Sequence, residues 1–95
     1  MIRILVVDDD IKLNQAICTY LNDCGFEAKG TTDARAAYDA LYSSLFDLII
    51  SDIMMPEIDG FAFAETVRRV NRQIPILFIS AKDDLSSKQK GFQLG

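Results

Sequence analysis

Asp52 stands at the end of the apolar run Asp47-Leu48-Ile49-Ile50-Ser51 and at the start of a turn, Ile53-Met54-Met55-Pro56-Glu57-Ile58-Asp59-Gly60. The apolar run at positions 2–7 ends in the same way, in Asp8-Asp9-Asp10. If both runs are strands of one parallel sheet, their carboxyl ends emerge on the same side and several carboxylates crowd one pocket. Gathering like charges raises at least one pKa and destabilises the fold, unless a hard cation such as Mg²⁺ shares the oxygens. The residue types and spacing therefore point to a metal site with a candidate nucleophile beside it.

The elements that must position these acids follow from periodicity. Strands are expected over 2–7, 26–31, 47–51 and 75–80, three of them continuous apolar runs of the kind buried on both faces of a parallel sheet. The second, Phe26 to Thr31, is more polar and is expected at an edge. Leu13, Ile17, Leu21 and Cys24 recur at helical spacing, as do Phe63, Val67 and Val70, while Ala34, Ala37 and Leu41 mark a middle helix. Thr32 or Asp33 and Asp59 are candidate N-caps, and Gly25 stands where a left-handed residue ends a helix. A fourth helix is expected from Asp83-Asp84, carrying Leu85 and Phe92 inward. Such alternation implies an α/β fold, a doubly wound parallel sheet with right-handed crossovers and helices on both faces. Ligands of such sheets bind outside the carboxyl edge of the strands, where the acids are expected.

Composition narrows the possibilities. The 95 residues accommodate one domain, and 49% hydrophobic residues supply one core. Fourteen acidic against ten basic residues give a net charge of -4, with no basic run, which disfavours nucleic-acid binding by this domain alone. The absence of histidine excludes a Ser-His-Asp triad and imidazole ligation of a metal. Cys18 and Cys24, six positions apart on one expected helix, are read as reduced packing residues. Every apolar run is short and interrupted by charge, so no signal peptide or membrane span is expected and a cytoplasmic location is.

Each candidate also has a plainer explanation. Asp10 is best explained as a helix cap, whereas three consecutive acids exceed what one cap needs, and Asp8 and Asp9 are weighted towards function. Asp52 alone would be a turn residue. Met54 and Met55 read as packing. Ser80, ending the fourth expected strand, can reach a phosphoryl oxygen or merely the backbone. Lys82, Arg68 and Arg69 read as solvated charges, with Glu65 four residues before Arg69.

Taken together, Ile4-Leu5-Val6-Val7-Asp8-Asp9-Asp10, Asp52-Ile53-Met54-Met55-Pro56 with Gly60, and Ile79-Ser80-Ala81-Lys82 resemble the receiver domain of two-component response regulators over the whole chain, residues 1–95. The resemblance implies a flavodoxin-like fold with strand order 2-1-3-4 in the part present here. It implies that Asp52 is the phosphoacceptor, taking its phosphoryl group from a histidine on a sensor histidine kinase. It also implies that Asp8, Asp9, Asp52 and the Met54 carbonyl hold Mg²⁺, and that backbone N–H groups near Met54 and Ala81 cradle the phosphoryl oxygens. Ser80 would be the hydroxyl that moves towards the phosphoryl group, with Met54 and Lys82 flanking the pocket and tuning its lifetime. Such a domain is a phosphorylation-controlled switch rather than a turnover enzyme, and its usual output is transcription through a DNA-binding domain elsewhere in the parent protein.

The resemblance also implies a fifth strand and fifth helix, bearing a lysine and an aromatic switch residue, beyond Gly95. The expectation is that Gly95 is a cut within a longer protein. Supply of the missing elements by a second chain, in a homodimer or swapped oligomer, is the alternative. Standing alone, the chain is expected to be marginally stable and to associate through the edge left by its fourth strand. Two other functions remain open on the residues alone: a Mg²⁺-dependent phosphohydrolase using Asp8 and Asp10 in an Asp-x-Asp arrangement, and a binding module that keeps the fold without phosphorylation.

Overall fold

A computed structural model describes residues 1–53, 60–70 and 73–79 of the chain. The elements alternate as the periodicity demands: β1 (Arg3–Val7), α1 (Ile11–Asp23), β2 (Glu27–Thr31), α2 (Ala34–Ser43), β3 (Leu48–Asp52), α3 (Gly60–Val70) and β4 (Ile76–Ile79). The four strands form one parallel sheet in the order β2-β1-β3-β4. Register places Val7 opposite both Thr31 and Ser51, and Asp52 opposite Ile79. The carboxyl ends of β1, β2 and β3 are thereby level, so residues following β1 emerge beside the end of β3.

Local chemistry sets the element ends. Asp10 caps α1 by accepting the Leu13 N–H at 3.1 Å, and Asp33, rather than Thr32, caps α2 by accepting the Ala36 N–H at 2.7 Å. Gly25, with φ +97, takes the left-handed turn out of α1, and the Phe26 N–H returns to the Leu21 carbonyl at 3.1 Å. That bond holds Phe26 in the turn, so β2 starts one residue later than its sequence suggests. Asp47 lies just outside β3, where its carboxylate accepts the Arg3 N–H at 2.8 Å. Cys24 is the C-cap of α1 and exposed, not part of the inward stripe, and both cysteines are free.

The sheet divides the core in two. One face packs Leu5, Val7, Ile49, Ile76 and Phe78 against Ala34, Ala37 and Ala40 of α2 and Phe63 and Val67 of α3. Alanines on α2 let that helix approach closely, and Phe63, fully buried, stacks on Tyr38 with ring centroids 5.4 Å apart. The opposite face carries Ile4, Val6 and Ile50 under Ile17, Cys18 and Leu21 of α1. Leu77, on this second face through its register with Ile50, is 43% exposed, whereas its neighbour Ile76 is 2% exposed. Among the described residues β4 is thus covered on one face, while on the other Leu77 is open and Ile79 is half-buried against the α1-side cluster. Asp59, the expected cap of α3, and the expected fourth helix lie outside the described residues.

Phe63→Ala should cost about 3–5 kcal/mol, because the ring fills the α2–α3 side of the core and its neighbours cannot close the gap. A fall of that size in unfolding free energy from urea titration is expected. A loss below about 1 kcal/mol would mean the site can collapse and is not packed as described.

Candidate functional site

Asp8 directly follows β1 and has no accessible surface, which is exceptional for a carboxylate. Its main chain continues the strand pairing by one step, the Asp8 N–H donating to the Thr31 carbonyl at 3.1 Å. One carboxylate oxygen, Oδ1, accepts the Asp10 N–H at 2.9 Å. The other, Oδ2, is buried without a hydrogen-bond partner among the described residues. An orphaned buried oxygen of this kind calls for an explanation, and an ion is among the standard ones.

Asp52 ends β3 and is 5% exposed. The strand is locked around it: the Ser51 hydroxyl donates to the Asp52 carbonyl at 3.1 Å, and the next residue, Ile53, donates its N–H to the Ile79 carbonyl at 3.0 Å. Asp9 is exposed and forms the solvent side of the cluster. Carboxylate oxygens of Asp8, Asp9 and Asp52 all lie within 4.8 Å of one another. Asp10 takes no part, because its side chain is committed to the cap of α1.

Electrostatics follow from this crowding. Burial pushes the Asp8 carboxyl from its ordinary 3.8 up to about 6; the Asp10 N–H opposes that rise, and the charges of Asp52, Asp9 and Asp10 add to it. The donor set fits a divalent hard cation. Three carboxylates supply hard oxygen ligands, one oxygen is buried and unmatched, and Mg²⁺ keeps several waters, so a partly open group of acids suits it better than a closed cage.

Sequence reasoning named Asp8, Asp9 and Asp52, and the structure brings all three together. Met54, Ser80, Ala81 and Lys82 lie outside the described residues. Arg68 and Arg69 are in the last turn of α3, and Arg68 bonds the Ile74 carbonyl. Sequence reasoning missed Asn14, the one buried residue of α1. Its amide nitrogen donates to the Asp8 carbonyl at 3.1 Å and to the Thr31 carbonyl at 2.7 Å. The available signal was a polar residue one turn before Cys18, within the inward stripe.

Comparison with known proteins gives this arrangement its context. Residues 4–95 match the family model described as the response regulator receiver domain. The transcriptional regulatory protein RprY of Bacteroides fragilis is 37% identical over 94 residues, spanning 99% of this chain and 40% of RprY. The chemotaxis response regulator CheY4 of Vibrio cholerae has a solved structure that superposes with a TM-score of 0.84 at 35% identity, covering 100% of this chain and 81% of that one. A further solved structure, the response regulator TrrA of Thermotoga maritima in complex with Mg²⁺-BeF, has a TM-score of 0.81 at 33% identity, covering 92% of this chain and 79% of that one. The chain spans about two fifths of the length of RprY and of other curated relatives it matches.

The raised Asp8 pKa carries a stability consequence. An acid that holds its proton more tightly when folded lends stability below its unfolded value of 3.8, and that stability is lost as pH rises to about 6. In metal-free buffer the chain should lose at most about 3 kcal/mol over this window from Asp8. Asp8→Asn should flatten that slope and melt higher than the wild type near pH 7 in EDTA. Equal slopes in the two proteins would show that Asp8 is not the strained acid.

Proposed function

The chain belongs to the response regulator receiver domain family, and from that premise we propose that it is a phosphorylation-controlled switch whose phosphoacceptor is Asp52. The observation that supports this reading above all is the convergence of the Asp8, Asp9 and Asp52 carboxylates at the ends of two adjacent strands, with one Asp8 oxygen buried and unmatched. Asp8 and Asp9 would hold Mg²⁺ together with Asp52, and the bound cation would supply charge neutralisation at the phosphoryl oxygens during in-line transfer.

Within that frame the residues of the chain have separate tasks. An oxygen of Asp52 attacks the phosphorus of a phosphohistidine on a sensor kinase. The new P–O bond forms as the P–N bond breaks, and the departing imidazole nitrogen keeps the electron pair and takes a proton. The histidine must come from the partner, because this chain contains none. The Ser51 hydroxyl on the Asp52 carbonyl and the Ile53 N–H on the Ile79 carbonyl steady the main chain at Asp52, which favours a near-attack geometry. The family resemblance assigns backbone contacts to the phosphoryl group to Met54 and Ala81, and to Ser80 the hydroxyl that reports its arrival; all three lie outside the described residues.

The domain is a signalling module rather than a turnover enzyme. Its relatives are named as transcriptional regulatory proteins of more than twice its length, so control of transcription through a further domain, in the cytoplasm, is the proposed output. No helix among the described residues is long and apolar enough to cross a membrane. A phosphohydrolase using Asp8 and Asp10 is disfavoured, since the Asp10 carboxylate is occupied by the Leu13 N–H.

Incubation with Mg²⁺ and acetyl phosphate should add one phosphoryl group by intact mass, and Asp52→Asn should abolish the adduct. Retention of the adduct in the variant would place the acceptor elsewhere.

A further inference from the structure

The Asp8 N–H makes the last bond of the ladder between β1 and β2, and beyond it the sheet no longer dictates the orientation of the Asp8–Asp9 peptide. Asn14 takes over that task from α1. Its amide nitrogen sits between two acceptors, the Asp8 and Thr31 carbonyls, at 3.1 and 2.7 Å. The Thr31 carbonyl also receives the Asp8 N–H at 3.1 Å, so Asp8, Thr31 and Asn14 form a closed ring of hydrogen bonds. Two carbonyls at one end of the amide require that end to be the NH₂ group. The remaining oxygen accepts the Cys18 thiol at 3.6 Å, which agrees with that assignment.

The Asp8 carbonyl belongs to the peptide that joins Asp8 to Asp9. Because a peptide is planar, holding this carbonyl fixes the last dihedral of Asp8 and the position of the Asp9 Cα, and so limits where the Asp9 carboxylate can reach relative to that of Asp8. Asn14 is 5% exposed and is packed so closely that a Cβ on Gly30 would lie 2.1 Å from its Oδ1. Gly30 therefore leaves the space in which the amide sits, and β2 contributes to the site without placing a side chain in it.

We infer that Asn14 is a positioning residue for the acidic site: by clamping the Asp8–Asp9 peptide to β2, it presets the two carboxylates for one cation. This inference rests on the reading of Asp8, Asp9 and Asp52 as a Mg²⁺ and phosphoryl site. The Asn14 amide bonds two main-chain carbonyls and the Cys18 thiol rather than any of the three carboxylates. It acts only through the backbone that carries the ligands, as outer partners of metal ligands commonly do.

Isothermal titration of Mg²⁺ into the chain, Asn14→Leu, Asn14→Ala and Gly30→Ala, each well below its melting temperature, tests the inference. Asn14→Leu keeps the volume and removes both donors, and it should weaken Mg²⁺ binding about tenfold or more. Gly30→Ala should weaken binding similarly by displacing the amide. The double variant Gly30→Ala with Asn14→Ala should be no weaker than Asn14→Ala alone, because the displaced group is already gone. Melting without Mg²⁺ separates a purely structural role: lower stability with unchanged Mg²⁺ affinity in the folded variants would overturn the inference. Additive effects of the two substitutions would also overturn it. A wild-type chain that binds no Mg²⁺ would remove the site reading itself, and the inference with it, whereas wild-type binding matched by Asn14→Leu would overturn the inference alone. Should the leucine variant fail to fold, Asn14→Ala, which adds no apolar bulk beneath the two carbonyls, replaces it: weakened binding supports the clamp and wild-type affinity overturns it.

Discussion

Repulsion among the carboxylates of Asp8, Asp9 and Asp52 is the constraint on which the arrangement of this fold depends. Three acids with oxygens within 4.8 Å of one another, two of them buried, work against folding in the absence of a cation. The sheet must therefore supply enough stabilisation elsewhere to hold them in place. It does so through apolar residues at β1 and β3 positions that bury both faces, Leu5, Val6 and Val7 beside Ile49 and Ile50. The same strands that bring the charges together provide the burial that outweighs their repulsion.

Parallel topology turns this opposition into a site. Level carboxyl ends of β1 and β3 put residues 8, 9 and 52 at one edge, and the next bond of each strand is anchored sideways. Asp8 is tied to Thr31 on β2, while Ile53 is tied to Ile79 on β4. The acidic cluster is thus braced from both sides of the sheet, and α1 adds a third brace through Asn14. A site that accepts a charged group gains from such bracing, because ligands already in place need little reorganisation when the charge arrives.

Much of this was legible in the residues. Continuous apolar runs ending in acids located Asp8, Asp9 and Asp52, and helical spacing located Phe63, Val67 and the alanine face of α2, since burial enforces those patterns. Asp10 was legible as a cap, and Asp33 as one of two candidates beside Thr32, because a side-chain oxygen there can accept an N–H of the first turn. The order β2-β1-β3-β4 was not contained in any single segment and came from family resemblance. Asn14 escaped notice because its partners are main-chain carbonyls, which no side-chain pattern records. Cys24 misled because it extends the helical stripe by one step past the point where Gly25 turns the chain away.

Thermal unfolding of the chain near pH 8 across a Mg²⁺ series at constant ionic strength tests most directly whether the three carboxylates make one cation site. A ligand that binds only the folded state raises stability by an amount that grows with the logarithm of its concentration above Kd. The melting temperature should rise in that manner for one site, and the rise should shrink below about pH 6, where Asp8 takes up its proton. A melting temperature that does not respond to Mg²⁺, or responds equally to NaCl, would contradict the account.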